Sequence, residues 1–289
     1  MSGGRWFSET LVPSVSLGLE ATEVIHEEKT GEQELTLLEN PVFGRVMLLD
    51  GVIQVTTGDE FIYHEMMAHV PILGHGGVKD VLIIGGGDCG LAEEVLKHPG
   101  VESLTQVEID SSVVEFSRTH FSAINAPVFD DSRFTVEIAD GATFMAETER
   151  QFDVVLVDST DPIGPGARLF TESFYADGRR CLRPGGILVA QNSVPFIQMQ
   201  EFGNAMRNMA AAFPEVTAYV IAVPTYFGGH MTLGWASDSP DALSVSEETL
   251  KARFDTAGLD TRYYTPEVHT AAFALPRYIR DTLEEARKS

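Results

Sequence analysis

From Lys79 onward, short apolar runs alternate with amphipathic stretches, and this alternation constrains the fold more than any other feature of the chain. Val81–Ile84, Leu104–Ile109, Phe134–Ile138, Val154–Val157 and Ile187–Ala190 are apolar runs of strand length. Between them Leu91–Lys97, Ser112–Phe121, Ala142–Thr148 and Ser173–Leu182 carry helical spacing. Runs that are apolar on both faces belong to a parallel sheet covered by helices on both sides. A helix near Ile197–Phe213 and an edge hairpin of Thr217–Val223 and Met231–Ala236 complete the expectation of an α/β fold with a seven-stranded sheet.

The first part of the chain has a different rhythm. Ala21–His26, Glu34–Glu39, Arg45–Leu49 and Val52–Thr56 are strand-like and separated by turn residues at Thr30-Gly31, Asn40-Pro41 and Asp50-Gly51. Asp-Gly between strands is a hairpin signal. Phe61–Leu73 then returns to helical spacing. The organisation expected is a small antiparallel β domain over residues 1–60 followed by a larger α/β domain over 61–289.

A net charge of −23 over 289 residues disfavours nucleic acid and anionic membrane surfaces as partners; it attracts small cations, although such acidity also serves solubility or salt adaptation alone. Cys89 and Cys181 are too few for a disulfide framework and lack the paired spacing of a zinc site. His26, His75, His230 and His269 have no metal-binding spacing, so no metal is expected. Neither an export signal nor an apolar run of membrane-spanning length is seen, and the chain reads as cytoplasmic.

Chemistry gathers where the apolar runs end. Gly85-Gly86-Gly87-Asp88 is a glycine-rich turn before a helix, which lets backbone approach a ligand closely, although an ordinary turn or a dinucleotide site has the same look. Glu108, about 20 residues on, is placed to accept from ribose hydroxyls, although a solvated strand-end acid has the same look. Asp140-Gly141 offers a carboxylate to an adenine amino group, although Asp-Gly is also an ordinary turn. Asp158-Ser159-Thr160-Asp161-Pro162-Ile163-Gly164-Pro165 sets two carboxylates in a loop stiffened by proline and glycine. Such a pair at a sheet edge is costly unless it binds cations or handles protons.

These motifs, together with Trp6-Phe7-Ser8-Glu9, Asp59-Glu60-Phe61-Ile62-Tyr63-His64-Glu65 and Pro224-Thr225-Tyr226, resemble in order and spacing those of the spermidine synthase family. The resemblance runs from about Trp6 to Tyr278, and Gln191-Asn192-Ser193-Val194-Pro195 is similar to the enterobacterial form. It implies a Rossmann-like, methyltransferase-type sheet and transfer of an aminopropyl group from decarboxylated S-adenosylmethionine to putrescine. The donor would be a co-substrate, with no cofactor, and the family implies a homodimer or homotetramer.

Carried onto this chain, the resemblance assigns Gln33, Glu108, Asp140, Gly141 and Pro165 to the nucleoside and Asp88 to the amine of the aminopropyl chain. Asp158 would be the general base. Gln54, Tyr63, His64, Asp88, Asp158, Ser159, Thr160, Asp161, Gln191 and Tyr226 would contact the diamine. Two departures stand out. Cys89 occupies a usual glycine position, where a side chain tends to crowd the turn, although Cys is small and the position precedes a helix. Ala167-Arg168 replaces a more usual acidic residue and is expected to set a cation near the diamine.

Three other functions are weighed. A methyltransferase of the same fold must hold a carboxylate-bearing donor, for which Asp88 has the wrong charge. A nicotinamide oxidoreductase would leave the paired aspartates without a task. A polyamine-binding protein would have no use for Glu108 and Asp140.

Overall fold

The computed structural model describes residues 4–29, 33–162 and 164–288. The turn expected at Thr30-Gly31 lies outside them.

The N-terminal part contains two antiparallel sheets. Strands β1 (Arg5–Val12) and β2 (Val15–Ala21) form a hairpin, and β3 (Glu23–Lys29), β4 (Glu34–Asn40), β5 (Gly44–Leu49) and β6 (Val52–Thr56) follow in that spatial order. The β5–β6 turn is the one Asp50-Gly51 signals, and both residues have positive φ, 51° and 78°. Alternation along the strands gives the four-stranded sheet two apolar faces. Leu35, Leu37 and Met47 pack toward Val113 and Phe116, whereas Leu38, Val46 and Leu48 pack toward Leu19 and Ala21 of the hairpin.

The β1–β2 hairpin was not expected, and the single strand expected over Ala21–His26 is broken at Thr22. The hairpin turns at Ser14, a non-glycine residue with φ of 74°, and it buries only a few apolar side chains.

Helix α1 (Glu60–His75) leads into the large sheet. Its elements are β7 (Asp80–Gly85), α2 (Gly90–Leu96), β8 (Ser103–Glu108), α3 (Ser111–His120), the single turn α4 (Ser122–Asn125), β9 (Phe134–Ile138), α5 (Gly141–Glu147) and β10 (Phe152–Asp158). A 3₁₀ turn (Gly164–Phe170), α6 (Glu172–Cys181), β11 (Leu182–Gln191), α7 (Met199–Ala212), β12 (Glu215–Ile221) and β13 (Met231–Ser237) follow. Three further helices, α8 (Glu247–Ala257), α9 (Pro266–Ala272) and α10 (Arg277–Ala286), close the chain.

Seven strands lie in the order β12-β13-β11-β10-β7-β8-β9. The run from β11 to β9 is parallel, and β12–β13 is an antiparallel edge hairpin, as read from sequence. Along β7, Val81 and Ile83 face α1 and α2, whereas Leu82 and Ile84 face α5, α6 and α7. Burial on both faces is why these strands read as unbroken apolar runs.

The chain leaves β7 toward β8 on one side and β10 toward β11 on the other, so the switch point lies between β7 and β10. In open parallel sheets ligands bind outside the carboxyl ends of the strands at such a point. Asp158 pairs with Gly85 there. Gly85 has φ of 85°, and a Cβ on it would lie 2.1 Å from the main-chain oxygen of Asp158. Only glycine lets the two strand ends approach so closely.

Candidate active site

The carboxyl edge of the sheet assembles a chain of acids. Asp158, the last residue of β10, accepts a hydrogen bond on Oδ1 from the Tyr63 hydroxyl at 2.8 Å. Burial pushes its pKa up to about 6, and Asp88 adds to the rise against the opposing pull of His64 and Tyr63.

Residues three and four apart on a helix share a face, so α1 presents Glu60, Tyr63 and His64 together. His64 Nδ1 bonds Glu60 Oε2 at 2.8 Å, and Nε2 lies 3.6 Å from Asp88 Oδ1. Burial alone would depress this imidazole; Asp88 and Glu60 outweigh it and raise the pKa to about 10. His64 is therefore an imidazolium held between carboxylates. Burial raises the pKa of Asp88 in turn, opposed by His64 and by the Gly90 N–H, which donates to Oδ1 at 2.7 Å.

At the end of β8, burial lifts Glu108 to about 7 although the Asp110 N–H donates to it at 3.0 Å. Gln33 Nε2 donates to Asp110 Oδ2 at 3.3 Å, so it stands beside this strand end. Ile109 next to it is 44% exposed, an apolar surface open beside the acids. Asp140 caps α5 through the Thr143 N–H at 2.7 Å, and Gly141 opens that helix. Burial of Asp140 is outweighed by Thr143 and Arg168, which hold its carboxyl below the usual range. Pro165 belongs to the 3₁₀ turn; its side chain, like Ile163, lies outside the described residues.

Arg168 does not sit where expected. Its Nη1 pairs with Asp140 Oδ2 at 2.8 Å, at the proposed adenine end rather than the diamine end. Cys89 takes up the conformation a glycine would use. It precedes α2 with φ of 61°, the left-handed conformation that glycine adopts freely, and its side chain is buried. Burial pushes its thiol far above the ordinary range.

At the other end of the cluster, Gln191 Nε2 donates to Asp161 Oδ1 at 3.2 Å. The Tyr226 ring meets Tyr63 edge-on at 6.0 Å between centroids, and its hydroxyl donates to the main-chain oxygen of Gln54. Gln54 thus contributes its backbone, while its side-chain amide turns to the Val52 carbonyl at 3.2 Å. Thr160 is exposed, and the Ser159 hydroxyl is buried with no hydrogen-bond partner among the described residues.

Four residues that sequence reading gave no role join the site. Glu60 is one. Glu9, on β1, is buried against the Ile53 N–H at 3.3 Å, and burial, reinforced by Asp161, raises it to about 7. Asp59 accepts from the Thr225 N–H at 2.9 Å and its hydroxyl at 2.8 Å, anchoring the loop that carries Tyr226. Gln198 donates to Asp161 at 2.8 Å. Glu9, Asp59 and Glu60 were visible only as letters of longer motifs, and Gln198 had no signal at all.

Comparison with known proteins matches this arrangement along nearly the whole chain. A family described as the spermine/spermidine synthase domain matches residues 60–246, and one described as the spermidine synthase tetramerisation domain matches residues 5–57. The polyamine aminopropyltransferase of Ruegeria sp. (strain TM1040) is 54% identical over 275 residues, covering 95% of this chain and 97% of its own. That of Salmonella arizonae is 50% identical over 283 residues, covering 98% and 99%. A spermidine synthase crystallised with the transition-state analogue AdoDATO superposes with a TM-score of 0.92 at 36% identity, covering 97% of this chain and 95% of its own. The spermidine synthase of Thermotoga maritima gives 0.90 at 36% identity, covering 97% and 94%. The acids at the switch point and the two family matches that span the chain lead to one assignment: the chain belongs to the spermine/spermidine synthase family.

Proposed function

We propose that this enzyme moves the aminopropyl group of decarboxylated S-adenosylmethionine onto putrescine, giving spermidine and methylthioadenosine, with Asp158 as general base. The observation that carries the reading is the acid series Asp88, Asp158, Asp161 and Glu9 running from the glycine turn to the N-terminal hairpin, with Asp88 and Glu9 buried and Asp158 and Asp161 half-buried. Buried carboxylates without matching cations are costly, and a cationic substrate supplies the missing charge.

The donor is a sulfonium, so the electrophile is already activated and the chemistry calls for no metal or redox group. The acceptor is the obstacle, because an alkylamine with a pKa of about 10.4 is protonated at neutral pH. Asp158, with a pKa of about 6, is largely ionised at pH 7 and free to take that proton. The nitrogen lone pair then attacks the methylene next to sulfur, the carbon–sulfur bond breaks, and its electron pair stays on sulfur as neutral thioether.

Orientation is supplied from both sides. Glu108 and Gln33 would hold the ribose, Asp140 and Gly141 the adenine, and Pro165 would line the nucleoside site. Asp88 would take the aminopropyl ammonium, with His64 limiting the charge that accumulates there. Asp161 and Gln191 would hold the diamine, with Ser159, Thr160 and the main chain of Gln54 beside it. Tyr63 and Tyr226 offer aromatic faces to the cation.

The N-terminal residues 1–60 form, on this reading, the assembly unit of a homo-oligomer and residues 61–289 the catalytic unit, working in the cytoplasm. Among the described residues no helix is long and apolar enough to cross a membrane.

The test is a product assay with decarboxylated donor and a panel of diamines. Spermidine and methylthioadenosine formed in equal amounts from putrescine are expected. Methyl transfer from intact S-adenosylmethionine, or diamine binding without methylthioadenosine release, would overturn the reading.

A further inference from the structure

Gln198 is the residue immediately before α7. A side chain at that position ordinarily turns onto the free N–H groups of its own helix. Gln198 makes no such cap. Its amide reaches back across the site, where Nε2 donates to Asp161 Oδ2 at 2.8 Å and Oε1 accepts from the Val194 N–H at 3.0 Å.

The second bond fixes the sense of the first. A main-chain N–H can only donate, so the amide oxygen faces Val194 and the NH₂ faces Asp161. Gln191 repeats the device from the end of β11. Its oxygen accepts from the Ser193 N–H at 3.4 Å, and its NH₂ donates to the other oxygen of Asp161 at 3.2 Å. Both glutamines are 8% exposed. Each oxygen of the Asp161 carboxylate therefore has one buried amide donor of fixed direction.

We propose that Gln198 is a positioning residue for acceptor binding, holding the Asp161 carboxylate so that its remaining lone pairs meet an ammonium of the diamine. The inference rests on the reading of Asp161 as a diamine contact. It also accounts for the residue type. A lysine here would neutralise Asp161 permanently and compete with the substrate, whereas a neutral amide orients the carboxylate and leaves its charge available. Glu9 stands at the same end on β1, where the Asp161 charge helps to raise its pKa to about 7, so a permanent cation there would act on both acids. A neutral donor leaves the Asp161 charge available to the incoming dication.

Two variants test the role. Gln198→Met keeps the length and removes the donor, and it raises the diamine KM roughly tenfold, the usual value of a hydrogen bond to a charged group. The nucleoside KM stays at the wild-type value. Gln198→Glu is the sharper probe. A protonated glutamic acid reproduces the glutamine pattern, offering C=O to Val194 and O–H to Asp161. An ionised one opposes a second carboxylate to Asp161.

The deficit of Gln198→Glu relative to wild type in diamine KM is therefore large at pH 8 and shrinks as the pH falls, which a purely structural lesion in the loop would not do. A wild-type diamine KM in Gln198→Met, a parallel rise in nucleoside KM, or a pH-independent deficit in Gln198→Glu would each overturn the role. Calorimetric titration of putrescine into protein saturated with methylthioadenosine reads the same contrasts without turnover. Loss of the contrasts there removes Gln198 from acceptor binding, whereas absence of aminopropyl transfer by the wild type removes the functional reading itself.

Discussion

The hydroxyl of Tyr63 donates to Asp158 Oδ1 at 2.8 Å, joining a helix face to the end of a strand 95 residues further along the chain. This bond stabilises the ionised carboxylate against the burial and the Asp88 charge that raise its pKa to about 6. In Tyr63→Phe that support is gone. The acid limb of the kcat profile moves to higher pH, and turnover near neutrality falls. A pH–rate profile of the variant with saturating substrates checks this, and an unshifted limb would count against the bond.

On the proposed mechanism, Asp158→Asn removes the proton acceptor without changing size. Loss of a positioned general base typically costs about 10²–10⁴-fold in rate. Turnover falls on that scale while methylthioadenosine binding, assigned in the proposed function to Glu108 and Asp140, stays near the wild-type value. Steady-state assays paired with calorimetry separate the two effects.

In the proposed function Asp88 welcomes an ammonium and repels the α-carboxylate of intact S-adenosylmethionine. Asp88→Asn therefore narrows the preference for the decarboxylated donor. The ratio of dissociation constants for the two nucleosides is the measurement, and an unchanged ratio would remove Asp88 from donor selection.

Away from the site, His69 and His98 form a buried pair, with His69 Nδ1 and His98 Nε2 2.9 Å apart. His69 Nε2 lies 3.1 Å from Glu94 Oε2, off the line of a hydrogen bond. Burial depresses both imidazoles to about 3, with Lys97 adding to the effect on His69 against Glu65 and His69 adding to it on His98. Below the ordinary histidine value of about 6.5 the unfolded chain binds protons that the folded one refuses. Stability is therefore lost as pH falls from about 6.5 toward 3, at about 1.4 kcal/mol per pH unit for each histidine. His98→Gln flattens this acid limb, and denaturant melts between pH 7 and 4 measure it.

The strands of the large sheet were legible because they are buried on both faces, so Val81–Ile84 and Val154–Val157 have no polar interruption to confuse their reading. The hairpin β1–β2 was not, because its apolar contacts are made to a neighbouring sheet rather than repeated along its own length. In the site, the acids at strand ends stood out by position: Glu108, Asp140 and Asp158 each follow an apolar run. Glu9 and Gln198 were silent for a different reason. Their meaning comes from Asp161, which lies 152 positions from the first and 37 from the second, and no local pattern encodes such a meeting. Arg168 was misplaced for the same cause, since its partner Asp140 sits on the far side of β10 in sequence.

Glu9 arrives on the outermost hairpin of the chain, yet it is buried, bonded to β6 and close enough to Asp161 to feel its charge. Trimming the first dozen residues would pass on a linear map for the removal of a peripheral flap. In three dimensions it takes out the strand that brings Glu9 to the acid cluster, so N-terminal truncation is to be treated as an active-site lesion.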